Sequence, residues 1–236
     1  MESATYGIKV TDLSVDYGEV SALKDVSFML RPGTVTGLIG PNGCGKSTLF
    51  KSVIGTIKPT SGTIEFGAGT LNEVRKRRLI GYVPQHEDID ATFPITVHSV
   101  VATGRGVGHP TPRDRELIES AMRHTGVWDL RNRRIGALSG GQRKRVFIAR
   151  SLAQDARILL LDEPFAGVDI PKEKAIAELL QELCVNRTVL VSTHHLGTLG
   201  DLCQQTVLLN KTVIATGSVD EVLTPANLAR TFGMEA

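Results

Sequence analysis

The fold is decided by the stretch GPNGCGKST at Gly40–Thr48. It has the pattern G-x-x-x-x-G-K-S, which cradles phosphate groups when it joins a buried strand to a helix. Both neighbours fit, because the apolar run Val35–Ile39 predicts a buried strand and Ser47–Ile54 predicts a helix. The sequence therefore predicts an α/β fold with a P-loop at the carboxyl end of a strand.

Each part of this loop has a predicted task in binding a nucleoside triphosphate. Glycines let the backbone point its N–H groups at the phosphates, and the helix N-terminus adds a positive partial charge. Lys46 is expected to reach the β- and γ-phosphates, and the Ser47 hydroxyl to ligate Mg²⁺. The alternative is a glycine-rich turn that binds nothing. The other residues expected around the phosphates are Gly40, Pro41, Asn42, Gly43, Cys44, Gly45 and Thr48.

A second buried-strand run, ILLLDEP at Ile158–Pro164, ends in two carboxylates. Such a strand end is where α/β sheets bind ligands. Asp162 is predicted to hold Mg²⁺ through water. Glu163 is adjacent in sequence, so its side chain points elsewhere and can act as general base on an attacking water. The alternative is a solvated strand end.

A third string, LSGGQ at Leu138–Gln142, is predicted to place a glycine-rich turn before a helix, as the P-loop does. Ser139 can cap a helix that runs through Arg150. Gly140 and Gly141 allow close backbone approach to a phosphate, which makes a second anion-binding helix N-terminus. The alternative is an ordinary loop.

With these three strings in this order, the chain resembles the ATP-binding subunit of an ABC transporter from about Ile8 to Gly217. The resemblance implies a P-loop NTPase core with an N-terminal antiparallel β-subdomain and an inserted helical subdomain. It implies one domain over residues 1–236, with the helical subdomain at about 86–153. It also implies a head-to-tail homodimer in which Ser139–Gln142 of one copy meets the γ-phosphate of ATP on the other.

Four more residues take roles from the resemblance. Tyr17 matches the aromatic residue that stacks on adenine, although an ordinary strand aromatic is the alternative. Gln85 matches the Q-loop glutamine, which contacts Mg²⁺ and senses the membrane partner. Asp169 closes FAGVD, the D-loop at the dimer seam. His194 matches the switch histidine near the γ-phosphate, and His195 departs from the family, which usually has an acidic residue there.

The transported substrate is suggested by HEDIDATFPITVHSVVATGR at His86–Arg105. Its acidic stretch, FPITV and apolar helix resemble ATPases of manganese, zinc and iron(II) importers, as does FAGVD. The implied partners are a polytopic membrane permease, contacted near Gln85 and Phe93–Val97, and an extracytoplasmic solute-binding protein. An importer of iron chelates, haem or cobalamin is the alternative. A soluble ABC ATPase of DNA repair or translation, or a binding module without catalysis, stays open.

Composition excludes some classes of function. The 236 residues are 41% hydrophobic with a net charge of +2, which does not favour nucleic acid as a partner. No apolar run approaches the ~18 residues that span a bilayer. The N-terminus lacks a signal peptide's features. These observations predict that the chain stays in the cytosol, and the resemblance implies a position at the cytoplasmic face of the cell membrane, held there by the permease.

The remaining features have plain interpretations. Three cysteines in a cytoplasmic chain predict no disulfide. Cys44 is interpreted as a small residue filling the P-loop, with an oxidisable thiol as the alternative. The basic runs Arg75–Arg78 and Arg143–Arg145 are interpreted as solvated surface, the first as a loop. Further helices are predicted at Val97–Thr103, Asp114–Thr125 and Ser139–Leu152.

Overall fold

A computed structural model describes residues 6–85, 93–106, 109–194 and 196–233. In chain order the strands are β1 (Ile8–Tyr17), β2 (Val20–Leu30), β3 (Val35–Ile39), β4 (Ser61–Phe66), β5 (Ile80–Val83), β6 (Ile158–Asp162), β7 (Thr188–Thr193), β8 (Gln205–Asn210) and β9 (Thr212–Gly217). The α-helices are α1 (Lys46–Val53), α2 (Leu71–Lys76), α3 (Val97–Ala102), α4 (Pro112–His124), α5 (Gly140–Ala153), α6 (Ile170–Cys184), α7 (Leu199–Leu202), α8 (Val219–Val222) and α9 (Pro225–Phe232).

The larger sheet positions the functional strings. Its strand order is β5-β6-β7-β3-β8-β9, and the pairs are parallel except for the β8–β9 hairpin. Every residue of β3, β6 and β7 is buried, as the apolar runs predict for parallel strands covered on both faces. The carboxyl ends of β3, β6 and β7 lie at one edge of this sheet, so the P-loop and Asp162 meet there.

The two faces of the sheet belong to two hydrophobic cores. Alternate residues of a strand point to opposite faces. In β6, Leu159 and Leu161 pack into the core under α3–α6, whereas Ile158 and Leu160 pack into the core shared with α1 and the smaller sheet. The sheet is therefore fixed from both sides, which gives the site at its edge a rigid base.

The smaller sheet is antiparallel and has the order β2-β1-β4. It is built from the alternating N-terminal segment, and its inward residues pack onto α1. The predicted fold class is confirmed: a P-loop NTPase core carries an N-terminal antiparallel β-subdomain and inserted helices.

The inserted helices α3, α4 and α5 lie between β5 and β6. All three begin at a capping side chain: Thr96 for α3, Thr111 for α4 and Ser139 for α5. Their bounds differ by one or two residues from the predicted ones, as helix ends usually do. The subdomain limits 86–153 stay a prediction, and residues 86–92 and 107–108 lie outside the described residues.

The interpretation of Arg75–Arg78 as a loop was wrong. Arg75 and Lys76 form the last turn of α2. This helix starts with a capping box, in which Thr70 accepts from the Glu73 N–H and the Glu73 side chain accepts from the Thr70 N–H. The pattern T-x-x-E in the sequence is the signal that predicts it.

Candidate functional site

The P-loop joins β3 to α1 through backbone that only glycine accommodates easily. Gly45 precedes α1 with φ of +104°, and no side chain caps the helix. A Cβ added there would lie 2.7 Å from the Ala22 carbonyl oxygen, and one added at Gly40 would lie 2.0 Å from that of Leu209. The glycines therefore serve close packing as well as the turn, and the first N–H groups of α1 stay open to a ligand.

Lys46 begins α1 and is buried, with 7% of its surface exposed. Its Nζ donates to the carbonyl oxygens of Gly40 at 2.6 Å and Pro41 at 3.2 Å. The same Nζ lies 3.8 Å from Glu163 Oε1. The ammonium group is thus held at the centre of the loop, where it can meet phosphate oxygens.

Asp162 and Glu163 face different partners, as their adjacency predicts. Asp162 Oδ2 accepts from Ser47 Oγ at 2.8 Å, and Oδ1 accepts from Ser192 Oγ at 2.6 Å. Glu163 lies past the end of β6 and is 3% exposed. Its main-chain φ is +49°, in the left-handed region. The two carboxylates therefore serve separate parts of the site.

His194 contacts Glu163 from the end of β7. Its Nδ1 lies 2.9 Å from Glu163 Oε2, within hydrogen-bond distance. The His194 side chain is 53% exposed and the Glu163 side chain is 4% exposed, so the pair bridges solvent and interior. The choice of His194 over its neighbour agrees with this contact, while His195 lies outside the described residues.

The P-loop, Asp162 and Glu163 open onto one cleft of about 350 Å³. Gln85 reaches it from the end of β5. Ala22, on β2, also lines it, and no sequence signal predicts an alanine there. The lining residues are Ala22, Pro41, Asn42, Gly43, Cys44, Gly45, Lys46, Ser47, Thr48, Gln85, Asp162 and Glu163.

Other predicted site residues stand apart from this cleft within the chain. Ser139 and Gln142 form a capping box at the start of α5, with Ser139 exposed. Asp169 caps α6, and its hydrogen bond with the Lys172 side chain holds the pKa of that carboxyl below its usual range. Tyr17 ends β1 and is 49% exposed, so it is not a core residue.

Lys144 is a residue whose setting the sequence interpretation missed. It is 5% exposed, so its place in a solvated basic run was wrong. Its Nζ donates to the main-chain oxygens of Pro84 at 3.1 Å and Gln85 at 2.7 Å. The helix that starts at Ser139 is therefore fastened to the Q-loop backbone.

Cys44 is a buried thiol at the cleft. Burial raises its pKa above the usual value, although the charge of Lys46 acts in the opposite direction. A thiol held in its protonated form is a weak nucleophile. This favours the interpretation of Cys44 as a packing residue. Cys184 and Cys203 are also buried and free.

A phosphate-binding loop, an acidic strand end and a glutamate–histidine pair around one cleft define an ATP-binding and ATP-hydrolysing cassette. The family profile described as ABC transporter matches residues 23–166. The chain belongs to this family, whose ATP-binding domains are ATPases coupled to transport.

Proteins of similar sequence are ATP-binding subunits of transport systems. The manganese transport system ATP-binding protein MntA of Synechocystis is 43% identical over 234 residues, which cover 96% of this chain and 90% of that protein. The chelated iron transport system membrane protein YfeB of Yersinia pestis is 45% identical over 95% of this chain and 78% of its own length. The zinc transport system ATP-binding protein TroB of Treponema pallidum is 36% identical over 99% of this chain and 89% of its own length.

Solved structures agree with the fold. An ABC transporter in an inward-facing conformation gives a TM-score of 0.85 at 29% identity, over 98% of this chain and 89% of that one. The cbiO1 subunit of the cbiONQ transporter from Clostridium perfringens gives a TM-score of 0.82 at 31% identity, over 96% of this chain and 94% of that one. Across the ranges that the structure describes, no helix is both long and apolar enough to cross a bilayer.

Proposed function

We propose that this chain hydrolyses ATP to drive import of a manganese, zinc or iron ion through a separate membrane permease. The observation that carries the catalytic part is the Glu163 carboxylate, which lies at the P-loop cleft between Lys46 and His194. The relatives named for manganese and zinc transport support the cargo.

In this proposal Glu163 accepts a proton from the water that attacks the γ-phosphorus. The contact with His194 Nδ1 at 2.9 Å fixes Oε2. Oε1 lies 3.8 Å from Lys46 Nζ and is the oxygen proposed to address the water once Lys46 turns to the phosphates. Lys46 places its charge on the β- and γ-phosphates in exchange for the loop carbonyls that it now contacts. His194 steadies Glu163 and reaches the γ-phosphate.

The donor set fits Mg²⁺. Ser47, Gln85 and Asp162 offer hydroxyl, amide and carboxylate oxygens at one side of the cleft. Mg²⁺ prefers such oxygen ligands and usually takes only one or two carboxylates, because phosphates and water complete its shell. Among the described residues, no group of three or more His, Cys, Asp or Glu side chains is placed to hold a metal ion. Bound there, Mg²⁺ would neutralise phosphate charge.

The adenine base and the second half of the site need residues outside the cleft. Tyr17 is exposed at the end of β1, where its ring face is free to stack on a base. Ser139 and Gly140 are exposed at the start of α5. A Cβ added at Gly140 would lie 3.6 Å from the Gly167 carbonyl oxygen, so this end of α5 lies against the D-loop. The signature and Asp169 therefore form one surface, which fits a head-to-tail dimer.

The permease is proposed to contact the chain near Gln85 and Phe93–Val97. Phe93 is 59% exposed beside the start of α3, so its apolar side chain is available for contact with a partner. This contact would keep the chain peripheral at the cytoplasmic face of the membrane. An extracytoplasmic solute-binding protein completes the proposed importer.

A second candidate is an ATPase for iron chelates, haem or cobalamin. The Yersinia relative, whose name refers to chelated iron, supports it. The relatives named for manganese and zinc do not favour it. Their transport names likewise do not favour a soluble ABC ATPase without a transport partner.

The test pairs Glu163→Gln with Glu116→Gln, a matched change at an exposed glutamate. Purified Glu163→Gln protein should bind ATP and lose turnover by ~10²–10⁴-fold, the usual worth of a general base. Glu116→Gln should behave as wild type. Normal turnover in Glu163→Gln would remove the catalytic assignment.

Cargo is tested by uptake of radioactive manganese, zinc and iron(II) in cells that lack this chain. The wild-type and Glu116→Gln chains should restore uptake of one of these ions, and Glu163→Gln should not. Restored uptake of a ferric chelate or cobalamin instead would select the second candidate.

A further inference from the structure

Ser192 lies two residues before His194 and links the two acidic residues of the site, although the sequence gives it no role of its own. It lies in β7, paired in register with Asp162 of β6, and is fully buried at 0% exposure. Its hydroxyl makes two hydrogen bonds. It donates to Asp162 Oδ1 at 2.6 Å and accepts from the Glu163 main-chain N–H at 2.8 Å.

The bond to the Glu163 N–H holds an uncommon backbone conformation. Non-glycine residues with φ near +50° are uncommon, and Asn, Asp and His are enriched among them. Asp12, Asp25, Arg78, Asp155 and Lys211 also have positive φ, and all are exposed. In the part of the chain that is described, Glu163 is the buried non-glycine residue with this conformation.

The bond to Asp162 fixes the other carboxylate. One oxygen of Asp162 accepts from Ser192 and the other accepts from Ser47. The plane of the carboxylate is therefore set by two hydroxyl groups on opposite sides. The Ser192 hydroxyl therefore links the Asp162 carboxylate to the main-chain N–H of Glu163.

We propose that Ser192 is a positioning residue for ATP hydrolysis, which aims Glu163 at the attacking water and orients Asp162 toward the nucleotide. This inference rests on the proposed catalytic role of Glu163. Ser192 does not line the cleft, so it acts through the two acids. Outer-shell partners of this kind typically change activity or metal affinity by about 10–100-fold when removed.

The competing description is a serine that only ties β6 to β7. That role predicts a loss of thermal stability with normal turnover once the protein is folded. Positioning predicts a different result, because ATP contacts the P-loop and not Ser192. It predicts a fall in kcat with little change in KM, and a higher Mg²⁺ concentration for half-maximal rate.

The central experiment compares Ser192→Ala with Ser151→Ala in the full-length chain. Ser151 is also buried, and its hydroxyl donates to the Phe147 carbonyl oxygen within its own helix. Ser192→Ala should lower kcat by about 10–100-fold and leave KM for ATP within about threefold. Ser151→Ala should keep wild-type kinetics. Equal kcat in the two variants, or a loss confined to KM, would overturn the proposal.

Two further readouts report on the contacts that Ser192 makes. Hydrogen exchange at the Glu163 amide should be faster in Ser192→Ala than in Ser151→Ala, since its acceptor is gone. In a Glu163→Gln background at saturating Mg²⁺, which compensates for a misoriented Asp162, single-turnover assays should show less than about a twofold further loss from Ser192→Ala, because residues that act as a unit are not additive. An undiminished loss in that background would overturn the proposal.

Ser192→Cys provides a second route if Ser192→Ala does not fold. It keeps the volume and replaces the hydroxyl by a weak donor, so kcat should still fall. Full turnover in Ser192→Cys would overturn the assignment. If Glu163→Gln is slow while Ser192→Ala matches Ser151→Ala, only the Ser192 inference fails. If Glu163→Gln turns over normally, the proposed function fails and this inference falls with it.

Discussion

The helices that follow the P-loop and the signature begin in opposite ways. α1 starts at Gly45 with no side-chain cap, and its first residue, Lys46, is buried. α5 starts at Ser139 with a complete capping box to Gln142, and Ser139 is exposed. The first helix leaves its N–H groups for a ligand. The second satisfies part of its N-terminus with the side chains of Ser139 and Gln142, so its start is stable before a partner binds.

The largest expected effect comes from removing the charge at the start of α1. Lys46→Ala should weaken ATP binding by about 10–100-fold, since hydrogen bonds to charged groups are worth about 1.5–3 kcal/mol, and should nearly abolish turnover. Lys58→Ala, at an exposed lysine, is the control. A titration with unchanged affinity, together with normal hydrolysis, would show that Gly40–Thr48 is not the site.

The corresponding change at α5 should spare binding and stop turnover. Ser139→Arg places a bulky cation where the other copy's γ-phosphate is expected, so the isolated chain should bind ATP and fail to hydrolyse it. Mixing Ser139→Arg with Lys46→Ala protein should recover part of the activity, because the mixed dimer has one intact site. Full activity of Ser139→Arg alone, measured as a monomer, would contradict a two-subunit site.

Substituting the glycine at the start of each helix by alanine should destabilise the protein to different extents. Gly45→Ala meets both a left-handed φ and a Cβ contact of 2.5 Å with Leu23, so it should destabilise the protein by about 2–4 kcal/mol. Gly140→Ala has its nearest neighbour at 3.6 Å and should stay within about 0.5 kcal/mol of wild type. Thermal unfolding measures both. Equal melting temperatures for the two variants would contradict the comparison.

The smallest expected effect concerns the adenine base of ATP bound at the P-loop. Tyr17→Phe should be nearly silent, because stacking uses the ring face, while Tyr17→Ala should weaken ATP binding by about fivefold, the low end for base stacking. Val20→Ala, at an exposed apolar residue that pairs with Tyr17 in the same hairpin, is the control. Equal ATP affinities of the wild-type, Tyr17→Phe and Tyr17→Ala proteins would show that Tyr17 is an ordinary strand residue.

The sequence predicts those parts of the site that depend on local chemistry. A P-loop needs glycines at fixed spacing, Asp162 and Glu163 need a buried strand before them, and Ser139 needs only the residues that follow it to form its cap. Each of these signals lies within a few residues. The fold class follows from the same strings, because their strands must pair in parallel to bring the strings together.

Other parts depend on pairings across the chain and were not predictable from spacing. Ser192 meets Asp162 because β6 and β7 are in register, although 30 residues separate them. Lys144 is buried only because β5 ends beside α5, which places the Gln85 carbonyl within reach of its ammonium group. Ala22 lines the cleft through the fold of β2 alone.

The left-handed backbone at Glu163 has a consequence for stability engineering. This conformation disfavours an ordinary side chain by roughly 1–2 kcal/mol, and glycine would relieve it. Glu163→Gly would also remove the carboxylate beside Lys46 Nζ and His194 Nδ1, and the loss of a buried charge partner offsets the backbone gain. Backbone comfort and the carboxylate are therefore in direct competition at residue 163, and stability screens of this chain should hold it fixed.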